Sequence, residues 1–151
     1  MMKDLKYVFY IGGTPEEVWQ ALISAEGTKQ IFYGSVIRST FRVGDLLEYV
    51  GPGADGDETV HVYGNVLDYV PNQVLRFTHF AGKSYTKDDN QEYESRISYL
   101  LEPVGACTKL TFIHDQWQEG DPHYENSDAA WWMILSNTKT LVETGKTLEL
   151  G

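Results

Sequence analysis

The sequence is poor in sulfur, in positive charge and in long apolar runs, and each shortage removes a class of function. Cys107 is the only cysteine among 151 residues, so no intramolecular disulfide can form and a multi-cysteine structural zinc site is excluded. Twelve Lys and Arg stand against 22 Asp and Glu, a formal net charge of -10. A surface of that sign repels DNA, RNA and acidic lipid faces at long range, so neither a nucleic-acid nor a membrane partner is expected. The densest apolar run, Ala129 to Leu135, is far too short to span a bilayer, and Met1 to Tyr10 holds no apolar stretch of signal-peptide length. The expected setting is therefore cytoplasmic. The four histidines, His61, His79, His114 and His123, have no H-x-H or H-E-x-x-H spacing, so no metal and no cofactor is expected. No G-x-S-x-G elbow occurs, and the glycine-rich Gly51–Gly56 loop lacks the Lys-Ser/Thr of a phosphate loop. No catalytic residue is assigned on these grounds.

What the chain does have is apolar and aromatic mass. Hydrophobic residues make up 42% and aromatics 13%, with ten tyrosines and four tryptophans. That is enough to bury one core, and the length suits a single domain over residues 1–151. Tyrosine and tryptophan join a large apolar body to one polar handle, which suits cavity walls as well as cores.

Periodicity orders the elements. Leu5 to Ile11 is rich in aromatic and β-branched residues and stops at Gly12-Gly13, a strand signal. Thr14-Pro15-Glu16-Glu17 then offers an N-cap hydroxyl, a proline at the first helical position and a glutamate three residues beyond the cap. Val18, Trp19, Ala21 and Leu22 form one apolar helical face, and Ser24 to Gly34 reads as a second short helix. From Val36 to Asp115 the period becomes two, predicting strands near 36–42, 45–50, 58–69, 73–80, 92–102 and 107–115, with Ala81 to Gln91 an exposed hairpin tip. Strand 58–69 is apolar on both faces, so His61 and Tyr63, or Val60, Val62 and Val66, could look inward. The last helix is expected from Ala129 to Glu143 or Thr144, capped by Asn126, Ser127 or Asp128 and closed by Gly145. Trp131, Ile134, Leu135, Thr138, Leu141 and Val142 form its buried stripe.

Sequential strands on short turns make an antiparallel meander. About seven strands at roughly 4.8 Å spacing are far wider than one helix of about 10–12 Å. The sheet must expose apolar surface or curl around the terminal helix, and curling leaves a gap that a small molecule could occupy.

Three motifs, in this order, resemble one family. Thr14-Pro15-Glu16-Glu17-Val18-Trp19-Gln20-Ala21-Leu22 is similar to a T-P-E-x-V-W-x-A-L opening. Leu101-Glu102-Pro103-Val104-Gly105, with Thr108-Lys109-Leu110-Thr111 and His114, resembles an L-E-P-x-G hairpin followed by T-x-L-T and a strand-end histidine. The run from Trp132 to Gly145 resembles a W-x-x-x-L-x-x-L-K-x-L-L-E-x-G helix. Together they resemble the START-like, polyketide-cyclase-related superfamily, in the branch named for the activator of the heat-shock-protein ATPase. The resemblance implies an α+β helix-grip fold: a curved antiparallel sheet of about seven strands around a long C-terminal helix, with two short helices after the first strand. Trp131 stands where relatives often carry glycine, Thr138 where they carry leucine and His79 where many carry tryptophan; each departure alters a cavity wall.

Strand alternation and helix spacing nominate Tyr49, Phe77, His79, Tyr99, His114, Trp132 and Leu135 as ligand-binding residues. His79 shares a face with Leu75 and Phe77, and His114 with Leu110 and Phe112. Either imidazole could anchor a polar group or move a proton, and either could be a hydrogen-bonded core histidine. Three functions stand open: a binding protein for a small apolar or aromatic molecule, a cofactor-free cyclase- or hydratase-like enzyme using cavity His and Tyr, and a chaperone-ATPase-regulating module implied by the resemblance alone.

Overall fold

A reciprocal cap sets the first helix in place. The chain enters as β1 (Leu5–Ile11), and Thr14 then caps α1 (Pro15–Ile23). Thr14 Oγ1 accepts the Glu17 N–H at 3.2 Å, and the Glu17 carboxylate accepts the Thr14 N–H at 3.0 Å, satisfying two donors the helix would otherwise orphan. The face of α1 that is buried is the expected one, Val18, Trp19, Ala21 and Leu22. Ser24 ends α1 and caps α2 (Ala25–Ile31) by accepting the Gly27 N–H at 2.9 Å. Gly27 lets the two helices touch, since a Cβ there would meet the Ala21 carbonyl oxygen at 2.5 Å.

The meander follows: β2 (Val36–Ser39), β3 (Leu46–Pro52), β4 (Glu58–Val70), β5 (Val74–Ala81), β6 (Ser95–Val104) and β7 (Cys107–Asp115), before α3 (Tyr124–Thr144). The computed structural model describes residues 2–82 and 92–149. Most of the expected hairpin tip at Ala81–Gln91 falls outside them. All seven strands pair antiparallel in one sheet, in the order β1-β7-β6-β5-β4-β3-β2. β1 pairs directly with β7 at one edge of the meander, and α3, which follows β7, packs back over that side of the sheet, which gives the helix-grip arrangement.

Three boundaries depart from the sequence reading. β2 ends at Ser39, where the Ser39 hydroxyl accepts the Phe41 N–H at 3.0 Å and Phe41 turns to φ 60°. β6 begins at Ser95 rather than near residue 92. α3 begins at Tyr124, so Asn126, Ser127 and Asp128 lie inside the helix and none of them caps it. Two local contacts and one distant one start it early: the Asp121 carboxylate accepts the His123 N–H at 2.9 Å, the Tyr124 ring meets Trp117 edge-on at 5.0 Å, and the Tyr124 hydroxyl donates to the Lys3 carbonyl at 3.0 Å. Gly145, at φ 78°, closes the helix as expected.

The ambiguous strand β4 resolves into both readings. Tyr49 pairs with Val62 and Val50 with Val60, leaving His61 as an extra residue; Val66 pairs with Phe77 and Asp68 with Arg76, leaving Leu67 as another. Each β-bulge resets the in–out phase and bends the strand. Val62 and Val66 therefore face inward, His61 joins Val62 at the first bulge, and Tyr63 faces outward to stack on Phe80 at 5.2 Å. The bends supply the curl that the width mismatch demands.

The long helix is fastened mainly along β1. Tyr7 donates to Asp128 at 2.5 Å, Lys139 donates to the Tyr10 carbonyl at 2.8 Å, and Glu143 accepts the Gly12 N–H at 2.6 Å. Trp132 packs edge-on against Tyr7 at 4.8 Å. No described helix is long and apolar enough to cross a membrane.

Candidate functional site

Because α3 lies over the β1 side of the sheet, the inner face is covered unevenly. Tyr7, Ile11, Leu110 and Phe112 on β1 and β7 are buried under α1 and α3. On the other side a cavity of about 220 Å³ remains. Its sheet wall is Tyr49, His61, Val62, Phe77, His79 and Ala81. The turn after α2 contributes Phe32, Tyr33 and Ser35, and the start of α3 contributes Asn126, Ser127, Ala130, Trp131 and Ile134, with His123 just before it. Among these described residues there is no Asp, Glu, Lys or Arg. In so acidic a chain, that leaves a wall whose polar groups are imidazoles, hydroxyls and one amide.

The sequence-nominated residues divide into three groups. Tyr49, Phe77 and His79 line the cavity. Tyr99, His114 and Leu135 are fully buried behind it. Trp132 does not face it: the side chain is 50% exposed on the opposite flank of α3, and its neighbour Trp131 occupies the wall. One residue along a helix is a rotation of roughly 100°, enough to separate wall from surface. The expected buried stripe, which starts at Trp131, has the correct phase. His61, His123 and the Phe32–Tyr33 turn were not nominated. His61 is the surplus residue of a bulge, and His123 lies ahead of a helix that starts earlier than its polar residues suggest. Neither carries a periodic signal.

A hydrogen-bonded chain runs from Trp131 in the wall through buried His114 and Ser95 to the half-buried His79. Trp131 Nε1 donates to His114 Nδ1 at 3.0 Å, His114 Nε2 and Ser95 Oγ are 2.7 Å apart, and Ser95 Oγ and His79 Nδ1 are 3.5 Å apart. Trp117 covers the His114 ring at 3.9 Å, and its indole N–H donates to the His114 carbonyl at 2.9 Å. Burial, reinforced by nearby His123, lowers the His79 imidazole to about 4. Burial and then the proximity of His79 hold His114 well below the ordinary histidine range. Both rings are neutral near pH 7. The Tyr49 and Tyr99 hydroxyls sit 3.4 Å apart, and burial raises both phenols above their usual range. Among the described residues no group of three His, Cys, Asp or Glu side chains could hold a metal.

A second hollow of about 280 Å³ lies beyond Tyr33 and Ile134, which line both spaces. Its Asn137 is engaged on both sides, donating to the Gln30 carbonyl at 3.3 Å and accepting the Leu148 N–H at 2.7 Å. That hollow is a seam between α2, α3 and the tail, and the amides of Gln30 and Asn137 that line it are already paired.

The family model described as Activator of Hsp90 ATPase homolog 1-like protein matches residues 13–143. No curated protein matches the sequence. Among solved structures, the Aha1 dimer from Colwellia psychrerythraea is 25% identical over 96% of this chain and 99% of that one, with a TM-score of 0.70. Protein CV1439 from Chromobacterium violaceum is 21% identical over 95% and 99% of the two chains, with a TM-score of 0.71. DynU16, a protein of the dynemicin biosynthetic locus, is 18% identical, with 97% of this chain and 49% of that chain covered and a TM-score of 0.71. The latter two likenesses establish a shared fold.

Proposed function

We propose that this chain, which belongs to the family of Activator of Hsp90 ATPase homolog 1-like proteins, binds a small, neutral aromatic or apolar molecule in the cavity between its sheet and its last helix. The supporting observation is a space of about 220 Å³ whose described walls carry aromatic rings and no formally charged side chain. A cavity of roughly 150 Å³ accommodates benzene, and drug-sized ligands take roughly 300–1,000 Å³. The space therefore suits a molecule of one or two rings. A charged ligand would lose its hydration without gaining an ionic partner.

The test is direct titration with neutral one- and two-ring compounds, followed by melting temperature and by calorimetry. Saturable binding that raises the melting temperature is expected. Ala130→Phe, which fills the helix side of the space, should abolish binding while leaving the circular-dichroism spectrum unchanged. A response that is flat across such compounds, or binding that survives the filled cavity, would sink the reading.

The family match favours a second reading, in which the chain acts on an Hsp90-type ATPase. ATPase rate measured with and without this protein tests it, and an unchanged rate removes it. Family resemblance is the only warrant for that activity.

A further inference from the structure

The hydrogen-bonded chain from Trp131 to His79 has a fixed direction. An indole nitrogen carries a hydrogen and no lone pair for acceptance, so Trp131 must donate to His114 Nδ1. A nitrogen that accepts cannot carry a proton, which makes His114 the neutral tautomer with its hydrogen on Nε2. That hydrogen is donated to Ser95 Oγ at 2.7 Å. The hydroxyl, having accepted, turns its own hydrogen to His79 Nδ1 at 3.5 Å. His79 Nδ1 is thereby the acceptor, and its hydrogen resides on Nε2, on the far side of the ring. His79 lines the cavity. The relay of four groups thus sets the tautomer of the imidazole nearest the ligand space.

The paired tyrosines have a direction too. Two facing hydroxyls use one hydrogen between them and leave one over. Tyr99 is fully buried, and Tyr49 is its hydrogen-bond partner. Were Tyr49 the donor, the remaining hydrogen would sit on Tyr99, sealed from any acceptor at the cost of its desolvation. With Tyr99 donating, the spare hydrogen belongs to Tyr49, which lines the cavity. Tyr49 on β3 and His79 on β5 share the inner face with β4 between their strands, and Phe77, on the same strand as His79, has its ring centroid 6.1 Å from that of Tyr49.

We infer that the cavity presents two hydrogen-bond donors, His79 Nε2–H and Tyr49 O–H, and therefore selects ligands bearing a neutral acceptor oxygen of the carbonyl class over hydrocarbons of the same shape. This rests on the cavity reading above. The depressed basicity of both histidines agrees with it, since neutral rings are what the relay requires.

Acetophenone and ethylbenzene are a matched pair, alike in size and differing at the oxygen. Calorimetric titration of the wild-type protein should show acetophenone binding about tenfold tighter or more, the effect of one or two buried hydrogen bonds. His79→Phe and Tyr49→Phe should each bring the two affinities close together by weakening acetophenone while leaving ethylbenzene within about twofold. Equal wild-type affinities would overturn the selectivity and leave the cavity reading standing. Binding of neither compound would remove both. A ligand-independent check comes from ¹⁵N-detected imidazole spectra near pH 7, in which His114 and His79 should both carry their hydrogen on Nε2. Ser95→Ala should release His79 into a tautomer mixture and reduce the preference for the ketone. Finding His79 protonated on Nδ1 in the wild-type protein would overturn the inference whatever the titrations give.

Discussion

The two halves of the inner sheet face use the same kinds of residue to opposite effect. Under α1 and α3, Tyr7, Phe112, Ile11 and Leu110 meet helix side chains and fill the space. Across β3, β4 and β5, Tyr49, Phe77 and Val62 meet a cavity of about 220 Å³. Aromatic and aliphatic composition is alike in both. What separates them is coverage: α3 is tied to β1, and the two bulges of β4 carry the far strands away from it. Composition decides that a residue is inside, whereas the path of the backbone decides whether anything fills the space beside it.

The sharpest way to break this comparison is to remove equivalent rings from the two halves. Phe112 lies 4.1 Å from the Trp131 ring and 5.2 Å from Tyr99, so Phe112→Ala should cost about 4 kcal/mol in chemical denaturation, as for a tightly enclosed phenylalanine. Phe77→Ala, beside existing empty space, should cost about 1–2 kcal/mol less, because part of its contact shell is already absent. Equal losses would show the hollow half to be as well filled as the solid one.

Acid should act through the relay behind the hollow half. An unfolded histidine titrates near 6.5 and folded His79 at about 4. As pH falls, the unfolded chain takes up the proton first, so stability held above 6.5 is lost progressively down to about 4. The full effect at His79 is about 3 kcal/mol, with His114 acting in the same direction. Asp121, raised by burial, opposes it at the acid end. Denaturation series between pH 7 and about pH 4 should show this slope in the wild-type protein and a shallower one in His79→Phe; identical slopes would detach the histidines from the stability of that half.

The smallest effect is expected at the outer flank of α3. Trp132 is half exposed against Tyr7 and Phe9, so Trp132→Ala should cost about 1 kcal/mol and leave the affinity for a cavity ligand unchanged. A large loss of affinity would return Trp132 to the wall from which the geometry removes it.

The sequence made the architecture legible because its signals were local and redundant. The Thr14–Glu17 cap, the switch to period two after Val36 and the stripe from Trp131 to Val142 each encode one element. Together they leave one arrangement that buries the sheet. The cavity was legible only as a consequence of widths, and its walls less so. A one-residue bulge inverts every later side chain, yet His61 and Leu67 carry no residue-type mark that would announce it. At α3, three good capping residues in a row point to a start at Ala129, whereas Asp121 and Trp117 just upstream, and Lys3 at the far end of the chain, hold the start at Tyr124. Helix spacing nominates Trp132 beside Leu135, yet the buried stripe of the same helix starts at Trp131, and it is Trp131 that reaches the wall.

The bonds along β1 have a mechanical meaning. Asp128, Lys139 and Glu143 attach α3 to that single strand and its exit, like a door hung on three hinges down one jamb. On the opposite flank, among the described residues, no hydrogen bond ties the helix to β3, β4 or β5. Trp131 and Asn137 add bonds to His114 on β7 and to the Gln30 carbonyl on α2, so the free edge of the door is the one that faces the gap.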